Sequence, residues 1–210
     1  MWAEKLGKQL GRPTWSIGGW LVSRFFIRRN RVLEENAVKL CDIQPGDTVL
    51  EVGHGPGLGL QSAAKLLTDP NGRLIGVDYS EYMHSKASEL LKEHLASGKL
   101  TLHHCDVAVL PLADNSVDKV FHCNCYYFWP DLRKGASELH RVMKPGAVML
   151  TTLRLEMVSY MASKQVMPKD NWRPDLYMAA LRDSGFTNIR MEDKQSQNIT
   201  FQAIYATALK

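Results

Sequence analysis

Four glycines alternate along Glu51-Val52-Gly53-His54-Gly55-Pro56-Gly57-Leu58-Gly59, with a carboxylate standing just before the first of them. Glycine accepts the positive φ angles of a tight turn and lets backbone approach a ligand closely. A dinucleotide loop would read G-x-G-x-x-G and cradle a pyrophosphate on a helix N-terminus. This loop does not: the sixth position counted from Gly53 is Leu58, and counted from Gly55 it is Leu60. Pro56 removes an amide that phosphate would use, and Glu51 would repel phosphate while helping to hold a cation. Two more carboxylates follow at wide spacing, Asp78 after Gly76-Val77 and Asp106 after His104-Cys105. Each also has a plain structural use, as a strand-end helix cap or a turn residue.

The second chemically loaded stretch is Phe121-His122-Cys123-Asn124-Cys125-Tyr126-Tyr127-Phe128-Trp129-Pro130. His122, Asn124 and Tyr127 are the candidates there for orienting or deprotonating a nucleophile. Tyr126, Tyr127 and Trp129 are suited to wall a cationic ligand, and Phe128 reads as core. His54 and His104 are further base candidates by position. Cys105, Cys123 and Cys125 sit at neighbouring strand ends, but Cys-x-Cys is poor zinc spacing and no C-x-x-C pair exists, so buried free thiols are expected and no metal.

Alternating strands and helices must position these residues. Strands are expected at Thr48–Val52, Arg73–Asp78, Leu100–His104, Val117–Cys123, Ala147–Leu153, Thr187–Met191 and Thr200–Thr207. Helices are expected at Asn30–Cys41, Leu60–Leu67, Glu81–Leu95, Asp131–Met143 and Asp175–Ser184. This order implies a mostly parallel sheet with helices on both faces, which binds its ligand outside the carboxyl ends of the strands. Glu51, Asp78, Asp106 and Asn124 all fall at those ends.

At this point the sequence resembles the class I S-adenosylmethionine-dependent methyltransferases, through E/D-x-G-x-G-x-G at Glu51 to Gly57. Four further landmarks stand in that family's order: Gly76-Val77-Asp78, His104-Cys105-Asp106-Val107, Leu110-Pro111-Leu112 with Ser116-Val117-Asp118, and Leu139-His140-Arg141-Val142-Met143-Lys144-Pro145-Gly146. The resemblance covers roughly residues 31–207. It implies a Rossmann-like three-layer α/β/α domain with a seven-stranded, mostly parallel sheet and an antiparallel last strand. It implies S-adenosylmethionine as cofactor and S-adenosylhomocysteine as product. Glu51, Gly53, Gly55, Gly57, Asp78, Tyr79, Asp106, Val107 and Asn124 would bind the cofactor, with Asp78 on the ribose hydroxyls and Asp106 on the adenine amino group. Methyl transfer is a displacement that needs alignment more than a dedicated base. The alternatives are a non-catalytic cofactor-binding scaffold and an NAD-linked oxidoreductase; Tyr82 and Lys86 have Tyr-x-x-x-Lys spacing, but after the second strand and beside a loop that lacks the dinucleotide pattern.

The bulk numbers agree with one globular domain: 210 residues, 45% hydrophobic and 23% charged, with formal charge +4. The basic excess gathers before Leu33, in Lys5, Lys8, Arg12, Arg24, Arg28, Arg29 and Arg31. It suits an anionic ligand and falls short of a nucleic-acid footprint. Residues 1–30 are expected to form a lid or substrate-shaping segment ahead of a cofactor domain at 31–210. Within it, Trp15, Trp20, Phe25 and Phe26 would close the cleft and Gly18-Gly19 would hinge it. A membrane-surface contact through Trp15–Arg31 is the other use of the same residues. The expected setting is cytoplasmic, since the start lacks a signal-peptide pattern and four cysteines do not make a disulfide framework in a chain of this length. The acceptor is expected to be a small or lipid-like molecule; its identity and the oligomeric state are not written in the sequence.

Overall fold

The computed structural model describes residues 2–167 and 170–210; the side chains of residues 2–5, 22, 23 and 25–29 lie outside that description. The strands are β1 (Thr48–Val52), β2 (Arg73–Asp78), β3 (Leu100–His104), β4 (Val117–Cys123), β5 (Met143–Leu153), β6 (Phe186–Ser196) and β7 (Ile199–Ala208). They form one sheet in the order β3-β2-β1-β4-β5-β7-β6. All pairs from β3 to β5 are parallel, while β7 runs antiparallel to both β5 and β6. This is the Rossmann-like methyltransferase arrangement expected from the sequence. The chain order reverses beside β1, where β2 lies on one side and β4 on the other, and that is where such sheets open a ligand crevice.

The helices are α1 (Trp2–Gly11), α2 (Ile17–Leu40), α3 (Leu58–Ala64), α4 (Glu81–Leu90), α5 (Lys92–Ala96), α6 (Leu132–Val142), α7 (Leu155–Ser163) and α8 (Pro174–Asp183). Alternation along the strands sends successive side chains to opposite faces. Val49, Phe121 and Leu150 join Ala37, Val38, Leu60 and Ala63 under α2 and α3. Their neighbours Leu50, Val120 and Met149 join Ala136, Leu139, Tyr177 and Leu181 under α6 and α8. Two apolar clusters on the two faces of one sheet make the three layers.

Several local expectations change. The helix expected from Asn30 begins at Ile17, where the Ser16 side chain accepts from the Gly19 amide. The expected division at residue 30/31 therefore falls inside a continuous helix. Gly18 and Gly19 lie in its first turn; a Cβ on Gly19 would collide with the Thr14 carbonyl, so that glycine serves close packing rather than a hinge. The Glu81–Leu95 helix divides at Leu91, which leaves helical geometry and buries its side chain among Leu60, Leu67 and Leu74. Helices α1 and α7 were not expected, and β6 is twice the expected length. It pairs with β7 through a hairpin whose tip, Gln197-Asn198, has φ of 49° and 61°, the pair of left-handed residues a two-residue turn requires.

Candidate functional site

The carboxyl ends of β1, β2 and β4 open into a cavity of about 730 Å³, within the size range of small-molecule and cofactor sites. Gly53 and Gly55 border it from the loop after β1. Asp78 and Tyr79 border it from the end of β2, Asp106 and Val107 from the segment after β3, and Asn124 from the end of β4. Seven of the nine residues expected to bind cofactor thus share one space.

Each is held by identifiable contacts. The Gly53 amide donates to the Val77 carbonyl at 2.8 Å, fastening the loop to β2. Gly55 has φ of +52° with nothing within 4 Å of where a Cβ would stand, so its glycine identity answers to backbone conformation alone. Asp78 accepts from the Gly55 amide through Oδ2 at 2.9 Å and from the Ser80 amide through Oδ1 at 2.7 Å. Each carboxylate oxygen keeps a further lone pair for a ligand. Asp106 accepts from the Ala108 amide at 2.9 Å, so it is a turn residue as well as a cavity residue. Tyr79 is half-exposed, with the Arg12 guanidinium 4.3 Å from its ring centroid. Asn124 sits in the left-handed region at φ 49°, and its Nδ2 donates to Asn30 Oδ1 at 3.2 Å.

Two expected cofactor residues do not border the cavity. Glu51 is 1% exposed and points to the α2 face, because it shares the strand parity of Val49. Glu34, from α2, stands in the cavity wall instead. Gly57 closes the loop as the residue before α3, packed on Ala87 and Leu91.

The base candidates fare differently. His122 is fully buried, with Nε2 2.8 Å from the Tyr177 hydroxyl and 2.9 Å from Thr151 Oγ1. Its place on β4 turns it away from the cavity and into the layer under α8. Burial holds its pKa down at about 3, so it is neutral. Tyr127 is buried and burial raises its hydroxyl well above the ordinary tyrosine range; it does not reach the cavity, and neither does Tyr126, which stacks on Tyr177 at 4.1 Å. His54 is likewise enclosed, with Nδ1 against the Gly55 carbonyl at 2.8 Å, and His104 is exposed beside the Tyr79 carbonyl. Neither borders the cavity. Phe128, read from sequence as core, does border it, together with Trp129.

Cys105, Cys123 and Cys125 are free thiols in the cavity wall. Burial raises all three, Cys105 to about 11 and Cys125 to about 12, so they stay protonated. Among the described residues no group of three His, Cys, Asp or Glu side chains is placed to hold a metal ion.

The remaining wall comes from elements the sequence reading did not place. Residues 7–14 of α1 and the turn after it cross the cavity, and Val166 and Met167 follow α7. Leu10 packs on Val166 with Leu6, Phe128 and Met161 around them. A Cβ on Gly7 would collide with the Val166 carbonyl, and one on Gly11 would lie 2.7 Å from the Phe128 ring, so α1 docks through its glycines. Ser80 donates to the Pro13 carbonyl and Trp15 packs edge-on against Tyr82 at 5.0 Å, tying the turn after α1 to the start of α4. Trp15 and Trp20 do not border the cavity and are 65% and 50% exposed, so the expected aromatic closure is not made by them. Phe25 and Phe26 lie outside the described side chains. Glu34 left a signal: it falls on the helical face of Ala37, Val38 and Cys41, where a carboxyl must be buried.

A parallel sheet that reverses at β1, a glycine loop preceded by an acid, and carboxylates at the next two strand ends define an S-adenosylmethionine-dependent methyltransferase. Residues 49–146 match the methyltransferase-domain family model. The chain is 32% identical over 138 residues to the uncharacterized methyltransferase YdaC of Bacillus subtilis, covering 66% of this chain and 71% of that one. The chain belongs to this methyltransferase family. It is 33% identical over 118 residues to the demethylmenaquinone methyltransferase of Desulfitobacterium hafniense, covering 56% of this chain and 46% of that one. A solved S-adenosylmethionine-dependent methyltransferase from Aquifex aeolicus shares the fold at a TM-score of 0.68 and 22% identity, covering 89% of this chain and 97% of that one. Apart from YdaC, the chain spans about half or less of the first curated relatives it matches.

S-adenosylmethionine is the cofactor, and the cavity's donor and acceptor groups fit it. Its ribose hydroxyls, adenine amine and ammonium are all donors, and the cavity offers Asp78, Asp106, Glu34 and the Asn124 carbonyl oxygen as acceptors. Asn124 Oδ1 and Glu34 Oε2 are buried without a hydrogen-bond partner.

Proposed function

We propose that the protein methylates a small organic acceptor with an apolar body, and that catalysis rests on positioning. The observation that carries this is the mixed wall of the cavity: Asp78, Asp106 and Asn124 border it, and so does an apolar group in which Leu10, Val166 and Phe128 pack together. When bound, S-adenosylmethionine supplies a methyl group on positively charged sulfur for in-line displacement. Asp78 would accept from the ribose hydroxyls and Asp106 from the adenine amine, with the Tyr79 ring alongside. Asn124, held by Asn30, would steady the amino-acid end. Helix α1 and Phe128 would exclude water from the reacting centre. No histidine borders the cavity among the described residues, so the acceptor's proton would leave to solvent and alignment would supply most of the rate. That demethylmenaquinone, an apolar ring compound, gives its name to a relative supports an apolar acceptor.

The test is incubation of the purified protein with methyl-labelled donor and a panel of metabolite and lipid extracts. Label in a small apolar product is expected. Donor binding without label transfer to any fraction would favour the scaffold alternative, and saturable NAD binding without a donor response would overturn the reading.

One observation favours a second reading for the N-terminal segment. Trp15, Ile17, Trp20 and Leu21 are all exposed, and the Arg24 guanidinium lies 5.2 Å from the Trp20 ring. Aromatic and basic side chains together suit an anionic membrane surface. No helix among the described residues is long and apolar enough to cross a membrane. Arg28 and Arg29, which would add to such a surface, lie outside the described side chains.

A further inference from the structure

Helix α2 and strand β1 bury two carboxyls in one space. Glu51 is 1% exposed and Glu34 6%. A Cβ on Gly59 would collide with Glu51 Oε1 and stand 2.8 Å from Glu34 Oε2. The fourth glycine of the loop, which lies beyond the Glu51–Gly57 motif, therefore makes room for the pair. Glu34 Oε2 and both Glu51 oxygens lack a well-formed hydrogen bond, and the Leu60 amide of α3 favours the ionised form of Glu51. The other ionisable groups facing the pair are Cys123 at the end of β4, Cys125 just after it and Asp78 from β2. No lysine, arginine or histidine contributes to either carboxyl among the described residues. Like charges so enclosed do not both ionise, so the pair retains a proton near neutrality. Glu34 also borders the cavity, beside Asn30 and the buried, unpartnered Oδ1 of Asn124.

We propose that Glu34 joins Glu51 as a proton-sharing pair that receives the ammonium end of the methyl donor and gives up a proton when the donor binds. The inference rests on the cofactor reading of the cavity and adds to it a residue and a proton. The carboxylic O–H bond breaks, the proton passes to solvent, and the carboxylate left behind accepts from the ammonium, which keeps its charge. Burial raises Glu34 to about 7, and burial with the neighbouring Glu34 raises Glu51 further. Below that window the pair holds its protons and binding must expel one; above it none need leave. Donor affinity therefore rises with pH through the window, by up to about tenfold per pH unit for one proton. A ligand without the amino-acid end has no such dependence.

Calorimetry tests this. S-adenosylhomocysteine is titrated at pH 6.5 and pH 8 in two buffers of different ionisation enthalpy, with 5′-methylthioadenosine as the ligand lacking the amino-acid end. Wild-type protein is expected to release up to one proton per site at pH 6.5 with S-adenosylhomocysteine and none with methylthioadenosine. Glu34→Gln is expected to bind both and to lose the proton release, because the carboxyl that borders the cavity is gone while Glu51, held protonated first by its own burial, does not border it. The ligand's own titration is common to both proteins and cancels. Tight wild-type binding with no buffer dependence would overturn the pair without needing any variant. Proton release in Glu34→Gln equal to wild type would overturn it too. Failure to bind either ligand would overturn the cofactor reading, and this inference with it.

Discussion

Asp78 Oδ2 accepts from the backbone amide of Gly55 at 2.9 Å, so the carboxylate at the end of β2 fixes the glycine loop after β1. One side chain thereby sets two parts of the cavity wall. Asp118 is its natural control. That carboxylate stands at the other end of the sheet, accepting from the Thr48 amide at 2.9 Å and from Lys144 at 2.8 Å.

Replacing Asp78 with alanine is expected to weaken S-adenosylhomocysteine binding by about 1.5–3 kcal/mol, the range for hydrogen bonds to a charged group. Asp118→Ala is expected to leave binding unchanged while costing stability of about 1 kcal/mol, since its ion pair is half in solvent. Titration calorimetry and thermal melts on the two proteins check both. Unchanged affinity in Asp78→Ala would remove it from the site.

Most of the sheet was legible because its strands carry short apolar runs bounded by glycine, proline and aspartate. The limits of β1 through β4 follow from that punctuation. Helix α1 was not legible: among its described side chains Leu6 and Leu10 make the apolar contacts, and Gly7 and Gly11 make close ones, which periodicity does not register. The polar half of β6 was missed for a similar reason, since an edge strand alternates weakly. In the site, Asp78, Asp106 and Asn124 could be placed from strand ends alone. Glu51 could not, because only the strand's parity relative to Val49 shows that it faces α2. His122 illustrates the same limit, since histidine at a strand end looks available until its neighbours Tyr177 and Thr151 are known.

His122 gives a pH prediction. Its folded pKa, about 3, lies below the ordinary value of 6.5. The unfolded chain therefore binds more protons between those values, and His122 costs stability as pH falls below 6.5. By linkage the cost reaches about 2 kcal/mol at pH 5. His122→Phe leaves Thr151 and Tyr177 within 3.1 Å of each other. It is expected to lose stability at pH 7.5 and to close most of that gap by pH 5. The raised Glu34 and Glu51 act with the opposite sign, stabilising the fold at low pH, but they are common to both proteins. Urea melts at the two pH values check the slope, and S-adenosylhomocysteine affinity is expected to stay the same. A variant that melts in parallel with wild type at both pH values would show that His122 is not buried neutral.

The lid reading makes the last prediction. Residues 7–14 border the cavity, whereas α2 contributes Leu33, Ala37 and Val38 to the core. A useful truncation therefore removes residues 1–14 and keeps Ser16, which caps α2. The shortened protein is expected to fold and to bind S-adenosylhomocysteine within about tenfold of wild type, since Asp78, Asp106 and Asn124 remain. Backbone amides at residues 123–129 are expected to exchange faster, and transfer to an acceptor found in the labelled panel is expected to fall steeply as water enters. The membrane reading predicts otherwise: Trp15, Ile17, Trp20, Leu21 and Arg24 survive the truncation, so binding to anionic vesicles would be unchanged. Vesicle sedimentation and turnover, measured together, separate the two roles. Should the truncated chain not fold, Gly11→Val serves instead, because its added carbons would meet the Phe128 ring and lift α1 without cutting the chain. Full turnover with α1 removed or displaced would refute the lid.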